Sequence, residues 1–236
     1  MGDCMEKIEL NRIYNMDCLE GMRQIEDKSI DLILTDPPFF LPAQHYQSRQ
    51  DWQKRYSDLS VLKIFWGTLL EQYVRILKPT GHLVFFCNSD SYPVFYEPTY
   101  NNFHKCKCLV WDKGQVGLGH IFRNQHELII WARHADSLFN DDHHLHSDIL
   151  KFSATPPNDR DHPVQKPETL LTELITPLTV ESGVVLDPFA GSGTTLMAAH
   201  KINRQFIGFE LDEGYFRDTE KRIAGLKEQG KISEWF

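Results

Sequence analysis

Nowhere do the 236 residues of this chain hold the ~20 consecutive apolar residues needed to cross a bilayer. The opening Met1-Gly2-Asp3-Cys4-Met5-Glu6-Lys7 lacks the apolar segment of a secretion signal, so a cytoplasmic protein without a membrane partner is expected. Cysteine is scarce. Five residues, an odd count at irregular spacing, argue against a disulfide scaffold and fit a reducing compartment. Cys106-Lys107-Cys108 falls one residue short of a C-x-x-C redox pair, and Cys87, at the end of an apolar run, reads as core. Basic charge is also in short supply, with 25 Lys and Arg against 33 Asp and Glu and a net charge of −8. That excludes a chain that coats nucleic acid over its whole surface, because phosphate binding needs clustered cations. A local basic face survives the test. Residues 98–133 carry Lys105, Lys107, Lys113, Arg123 and Arg133 against Asp112 and Glu127, and 40–56 carry Arg49, Lys54 and Arg55 against Asp51. Residues 134–162 run the other way, with six aspartates against Lys151 and Arg160. No metal is expected: Asp141-Asp142-His143-His144-Leu145-His146 has no partner at zinc-site spacing and lies in loop-like sequence.

What is present is an ordinary folding composition, 41% hydrophobic and 25% charged. The length suits one domain over 1–236. Short apolar runs alternate with amphipathic stretches, the pattern of an α/β sheet with helices on both faces. Strands are predicted at 30–35, ended by Pro37 and Pro38, and at 82–86, 128–131, 184–186 and 206–209. Helices are predicted at 61–77, 170–178, 193–202 and 212–229, the last with Phe216, Thr219, Ile223 and Leu226 on one stripe. The stretch 135–161 reads as irregular. Contiguous strand–helix units near the C-terminus imply parallel crossovers, hence a mostly parallel twisted sheet.

Two loops carry chemistry. In Leu186-Asp187-Pro188-Phe189-Ala190-Gly191-Ser192-Gly193-Thr194-Thr195 a strand runs into a Gly-x-Gly turn and then a helix, a geometry that brings backbone N–H groups close to a ligand. Glu210 closes the next strand, placed to accept both hydroxyls of a ribose. An adenosine-containing cofactor follows. A nicotinamide dinucleotide would need a third glycine near 196, where this chain has Leu196, and the acid Asp187 would repel its phosphates. The same acid suits the amino group of a methionine moiety, so S-adenosylmethionine fits better. The second loop, Asp36-Pro37-Pro38-Phe39, is a rigid extended turn at the end of a strand. Its carboxylate and the Pro37 carbonyl can accept the hydrogens of a planar amine while Phe39 stacks on the ring.

Together these motifs resemble the amino-methyltransferases of DNA, in their beta arrangement with the Asp-Pro-Pro-aromatic motif ahead of the cofactor loop. The resemblance extends to Asn15-Met16-Asp17-Cys18, Leu77-Lys78-Pro79-Thr80-Gly81, Asn124-Gln125-His126-Glu127-Leu128, His162-Pro163-Val164-Gln165-Lys166-Pro167 and Phe209-Glu210-Leu211-Asp212. It implies a Rossmann-like methyltransferase fold and cofactor contacts from Asp17, Cys18, Lys166, Asp187, the loop Phe189, Ala190, Gly191, Ser192, Gly193, Thr194, and Glu210 with Leu211. Asp17 would take the cofactor's adenine amine, Glu210 the ribose, Asp187 the ammonium and Lys166 the carboxylate. The resemblance also implies catalysis by Asp36, Pro37, Pro38 and Phe39 on a base flipped out of the DNA duplex. Within the family an Asp at the first motif position leans toward adenine N6 and a Ser toward cytosine N4, so Asp36 favours adenine. Phe39 stands where Tyr is frequent and keeps the stacking face. The segment from Phe40 to Tyr56, with His45, Tyr46 and Trp52 among its cations, is the expected clamp over the flipped base. Target recognition is expected from insertions near 40–60 and 98–160, or from a second subunit, since so short a chain suggests a homodimer on DNA.

Overall fold

The computed structural model describes residues 8–40, 55–117, 121–140, 146–156 and 165–233, with side chains through 225. Eight strands form one sheet: β1 (Arg12–Asn15), β2 (Ile30–Thr35), β3 (Leu77–Cys87), β4 (Lys105–Asp112), β5 (His126–Arg133), β6 (Ile149–Lys151), β7 (Val184–Asp187) and β8 (Gln205–Glu210). Their order across the sheet is β1-β8-β7-β2-β3-β5-β4-β6. Every pairing is parallel except β3 with β5 and β5 with β4. The helices are α1 (Cys18–Arg23), α2 (Leu59–Ile76), α3 (Tyr92–Asn102), α4 (Glu168–Ile175), α5 (Thr194–Lys201) and α6 (Glu213–Ser233).

Side-chain alternation along the strands splits the core in two. Ile33, Leu83 and Phe85 face one layer with Met22, Leu62, Trp66, Tyr73 and Phe95 of α1, α2 and α3. Leu32, Leu34, Val84 and Phe86 face the other with Leu170, Leu174, Leu196 and Ile223 of α4, α5 and α6. Trp66 anchors the first layer. Its ring lies 4.4 Å from that of Phe85 and 4.5 Å from that of Phe95, and its buried N–H donates to the Phe95 carbonyl at 3.2 Å.

The predicted strands and helices all form, with ends that move by a few residues. The helix predicted to run to Leu77 stops at Ile76, and β3 begins at once, carrying Pro79 near its start. The stretch 135–161 is not wholly irregular: Ile149–Lys151 pairs in parallel with β4, and Leu150 is buried. Within 98–133, Lys105–Asp112 and His126–Arg133 are strands of the sheet, β4 and β5. Cys87 is core as expected, and Thr219 and Ile223 line the buried stripe of α6, while Leu226 lies beyond the described side chains.

Candidate active site

Strands β2 and β7 are neighbours, with Leu32 opposite Val185 and Ile33 opposite Leu186. From β2 the chain crosses to β3 on one side, and from β7 to β8 on the other. The two strand ends therefore diverge and open a crevice at the carboxyl edge, where open α/β sheets bind ligands. Both motif loops leave the sheet here. Thr35, the last residue of β2, donates its hydroxyl hydrogen to Asp187 Oδ1 at 2.8 Å and links the two loops across 152 residues of sequence.

Asp187 is buried and is held by neutral hydrogen-bond donors. Asp187 Oδ1 also accepts from the Phe189 N–H at 3.1 Å. Burial pushes the Asp187 carboxyl up to about 6, against the pull of Thr195, Thr35 and the Phe189 amide. Gly191 and Gly193 adopt φ of 51° and 74°, and a Cβ on Gly193 would lie 2.3 Å from Thr219 Cγ2. Thr219 in turn donates to the Gly191 carbonyl at 2.9 Å, and Arg222 donates to the Ser192 carbonyl, so α6 holds the loop from behind. A Cβ on Gly191 would meet nothing within 4 Å, so the opposite side of the loop is open. Glu210 accepts from the Gly191 N–H and the Asp212 N–H, both at 2.8 Å, and burial raises its carboxyl above the usual carboxylate range. Asn15 donates its side-chain amide to the carbonyls of Glu210 and Leu211. One turn further, Asp17 caps α1 by accepting from the Leu19 N–H at 2.8 Å. Cys18 beside it is buried, which together with Asp17 pushes its thiol up to about 12, so it is no nucleophile near neutral pH.

This donor and acceptor set fits S-adenosylmethionine. A buried acid with neutral partners could hold an ammonium, a strand-end acid could hold a ribose, and an open glycine turn leaves room for the cofactor body.

The Asp36 loop is held differently. Pro37 is buried and Phe39 packs against the Trp66 layer. Beyond it, the Phe40 N–H donates to Ser91 Oγ at 2.8 Å and Asn88 Nδ2 donates to the Phe40 carbonyl at 2.7 Å, fastening the turn to the end of β3. Lys166, just ahead of α4, donates to Asp36 Oδ2 at 2.6 Å. The same ammonium lies 3.3 Å from Glu127 Oε2 and 4.8 Å over the Phe86 ring. Glu127 Oε1 accepts from Lys113 Nζ at 2.6 Å. Burial works to lower the Lys166 pKa, but Asp36 and Glu127 more than offset it and the net shift is upward. Burial works to raise Glu127, and Lys166 and Lys113 bring it below its usual value. Asp36 keeps a quarter of its side chain exposed, while its Oδ1 atom is buried.

The structure thus gathers Asp17, Cys18, Asp36 to Phe39, Lys166, Asp187 to Thr194, Glu210 and Leu211 along one edge of the sheet. Lys166, expected beside the cofactor carboxylate, has its ammonium on Asp36 and Glu127. Sequence reasoning assigned no role to Glu127, Lys113, Thr35, Asn88 or Ser91. A lone acid opening the apolar run of β5 and a threonine closing that of β2 were the available signals. The expected clamp residues 41–54, the acidic–histidine run 141–145 and His162–Val164 lie outside the described residues. Among the described residues no group of three or more His, Cys, Asp or Glu is arranged for a metal, and no helix is long and apolar enough to cross a membrane.

The sequence profile of the DNA methylase family matches residues 30–221, so the chain belongs to that family of DNA amino-methyltransferases. It is a DNA methyltransferase with S-adenosylmethionine as cofactor. It is 30% identical over 251 residues to the type II methyltransferase M.HinfI of Haemophilus influenzae, covering 92% of this chain and 69% of that one. Among solved structures, the M1.HpyAVI–SAM complex aligns with TM-score 0.66 and 25% identity, over 89% of this chain and 98% of that chain. The PvuII DNA methyltransferase, cytosine-N4-specific, shares the fold with TM-score 0.73 at 17% identity, over 92% and 91% of the two chains.

Proposed function

We propose that this enzyme, a single catalytic domain, transfers the methyl group of S-adenosylmethionine to the exocyclic N6 of an adenine flipped out of DNA. The observation that carries the reading is the pair of acids at one crevice, Asp36 just after β2 and Asp187 at the end of β7, bridged through Thr35. Asp187 holds the cofactor's ammonium, Glu210 its ribose hydroxyls and Asp17 its adenine amine, with Cys18 and Leu211 alongside and residues 189–194 as the cradle. When bound, S-adenosylmethionine would supply a methyl group already activated on a sulfonium, with S-adenosylhomocysteine as the leaving group and one amine proton passing to water. Asp36 and the Pro37 carbonyl accept the two N–H bonds of the target amine. They favour a pyramidal nitrogen with its lone pair aimed outward, and they stabilise the positive charge that grows on it. Flipping the base costs a few kcal/mol. Stacking on Phe39 returns about 1–3 kcal/mol of this. Pro38 stiffens the turn, so the acceptors meet the amine already oriented.

Adenine is favoured by Asp36 at the first motif position. Clamping by 40–56 and pairing into a homodimer on the DNA complete the reading. Four free thiols among the described residues suit the reducing cytoplasm. The test is transfer of labelled methyl to unmethylated DNA, followed by digestion to nucleosides. Label in N6-methyladenine supports the reading, label in N4-methylcytosine overturns the choice of base, and no transfer overturns the activity.

A further inference from the structure

The alternating charges Asp36, Lys166, Glu127 and Lys113 form a chain of ion pairs that starts at the Asp36 loop and passes through a buried ammonium to part-exposed Glu127 and Lys113, with contacts of 2.6, 3.3 and 2.6 Å. The central ammonium is nearly buried, 9% exposed, and lies against the Phe86 ring. A lysine this deep has left its hydration shell, and only well-placed carboxylates make such a position tolerable. Three independent elements supply the parts: the segment before α4 gives Lys166, β5 gives Glu127, and β4 runs into Lys113. We propose that Lys166 and Glu127 are positioning residues for methyl transfer. Lys166 grips the Oδ2 edge of Asp36 and fixes the rotation of its carboxylate toward the target amine, while Glu127, tethered by Lys113, fixes Lys166.

The inference rests on the reading of Asp36 as acceptor of the amine, and it differs from a cofactor role for Lys166 in what should break. A ligand of the cofactor carboxylate changes cofactor affinity. A positioning group changes the rate once cofactor and DNA are bound, because a misplacement of ~1 Å at the reacting centre costs about 100-fold.

The experiment measures S-adenosylmethionine dissociation constants and single-turnover methyl transfer at saturating cofactor and DNA. Its chains are the wild type, Asp36→Ala, Lys166→Met, Lys166→Arg, Glu127→Gln and the double variant Lys166→Met/Glu127→Gln. Lys166→Met is expected to lose about 100-fold in rate with cofactor affinity within about threefold of wild type. Lys166→Arg, which keeps the charge, is expected to recover about tenfold of that loss, and Glu127→Gln to lose about tenfold on its own. Because the two residues act as a unit, the double variant should be no slower than Lys166→Met. Thermal unfolding checks that each chain is folded. If Lys166→Met does not fold, Lys166→Arg and Glu127→Gln decide alone, and a Glu127→Gln rate equal to wild type overturns the proposal. Tenfold weaker cofactor binding by Lys166→Met at an unchanged saturated rate also overturns it and returns Lys166 to the cofactor. Asp36→Ala at the wild-type rate breaks the underlying reading of Asp36, whereas a dead Asp36→Ala beside a fully active Lys166→Met breaks only the positioning role.

Discussion

Asp36 and Asp187 end neighbouring strands of the same sheet, yet the fold treats the two acids in opposite ways. Asp187 is buried among neutral donors, the Thr35 and Thr195 hydroxyls and the Phe189 amide, and its carboxyl is pushed up to about 6. Asp36 is part exposed and bound to a buried ammonium. A buried acid with neutral partners gains most from an incoming cation, while an acid already paired with lysine is restrained in orientation. The difference teaches a division of labour. On the proposed reading, the Asp187 side binds by charge and shape, and the Asp36 side orients.

Five substitutions or conditions break or sharpen that contrast, in falling order of effect. Asp36→Ala should abolish methyl transfer, a loss on the order of 1,000-fold in single-turnover rate, with cofactor affinity unchanged by calorimetry. Gly193→Ala should strike the binding half. Its Cβ would lie 2.3 Å from Thr219 Cγ2 at a φ of 74°. We expect about 1–3 kcal/mol of lost stability in denaturant melts, together with weaker cofactor binding. Asp187→Asn should weaken the cofactor about tenfold, the worth of one charge-assisted hydrogen bond, read in the same calorimeter.

The pH dependence follows from the raised Asp187 carboxyl. An ammonium ligand needs the ionised acid, so cofactor affinity should fall as pH drops through about 6, and Asp187→Asn should flatten that fall. For stability the sign is reversed. With the folded value above the ordinary 3.8, protonated Asp187 favours the fold at low pH, and that contribution is lost as pH rises through about 6. The smallest effect belongs to a control at the opposite edge of the sheet, where Lys78 pairs with Asp31 at 2.7 Å. Lys78→Ala should cost at most about 1 kcal/mol of stability and leave the methyl-transfer rate unchanged.

The two loops were legible in the sequence because their chemistry is local. Glycines at 191 and 193 announce a left-handed turn, and paired prolines at 37 and 38 announce a strand stop. The Lys166–Asp36 pair was not, because its partners lie 130 residues apart and meet only through the sheet order. Among the elements, β6 has only three residues and forms because β4 offers an edge, so tertiary pairing decides it. Helix α3 carries Pro98 in its interior and only Phe95 and Thr99 are buried along it, which leaves little helical periodicity to read.

The most direct test of two acids with two tasks sets Asp36→Ala beside Asp187→Asn and measures cofactor binding and methyl transfer to DNA for both. The account predicts that Asp36→Ala binds S-adenosylmethionine like the wild type and transfers nothing, while Asp187→Asn binds weakly and regains rate as cofactor is raised. Loss of cofactor binding in Asp36→Ala, or wild-type binding in Asp187→Asn, would contradict it.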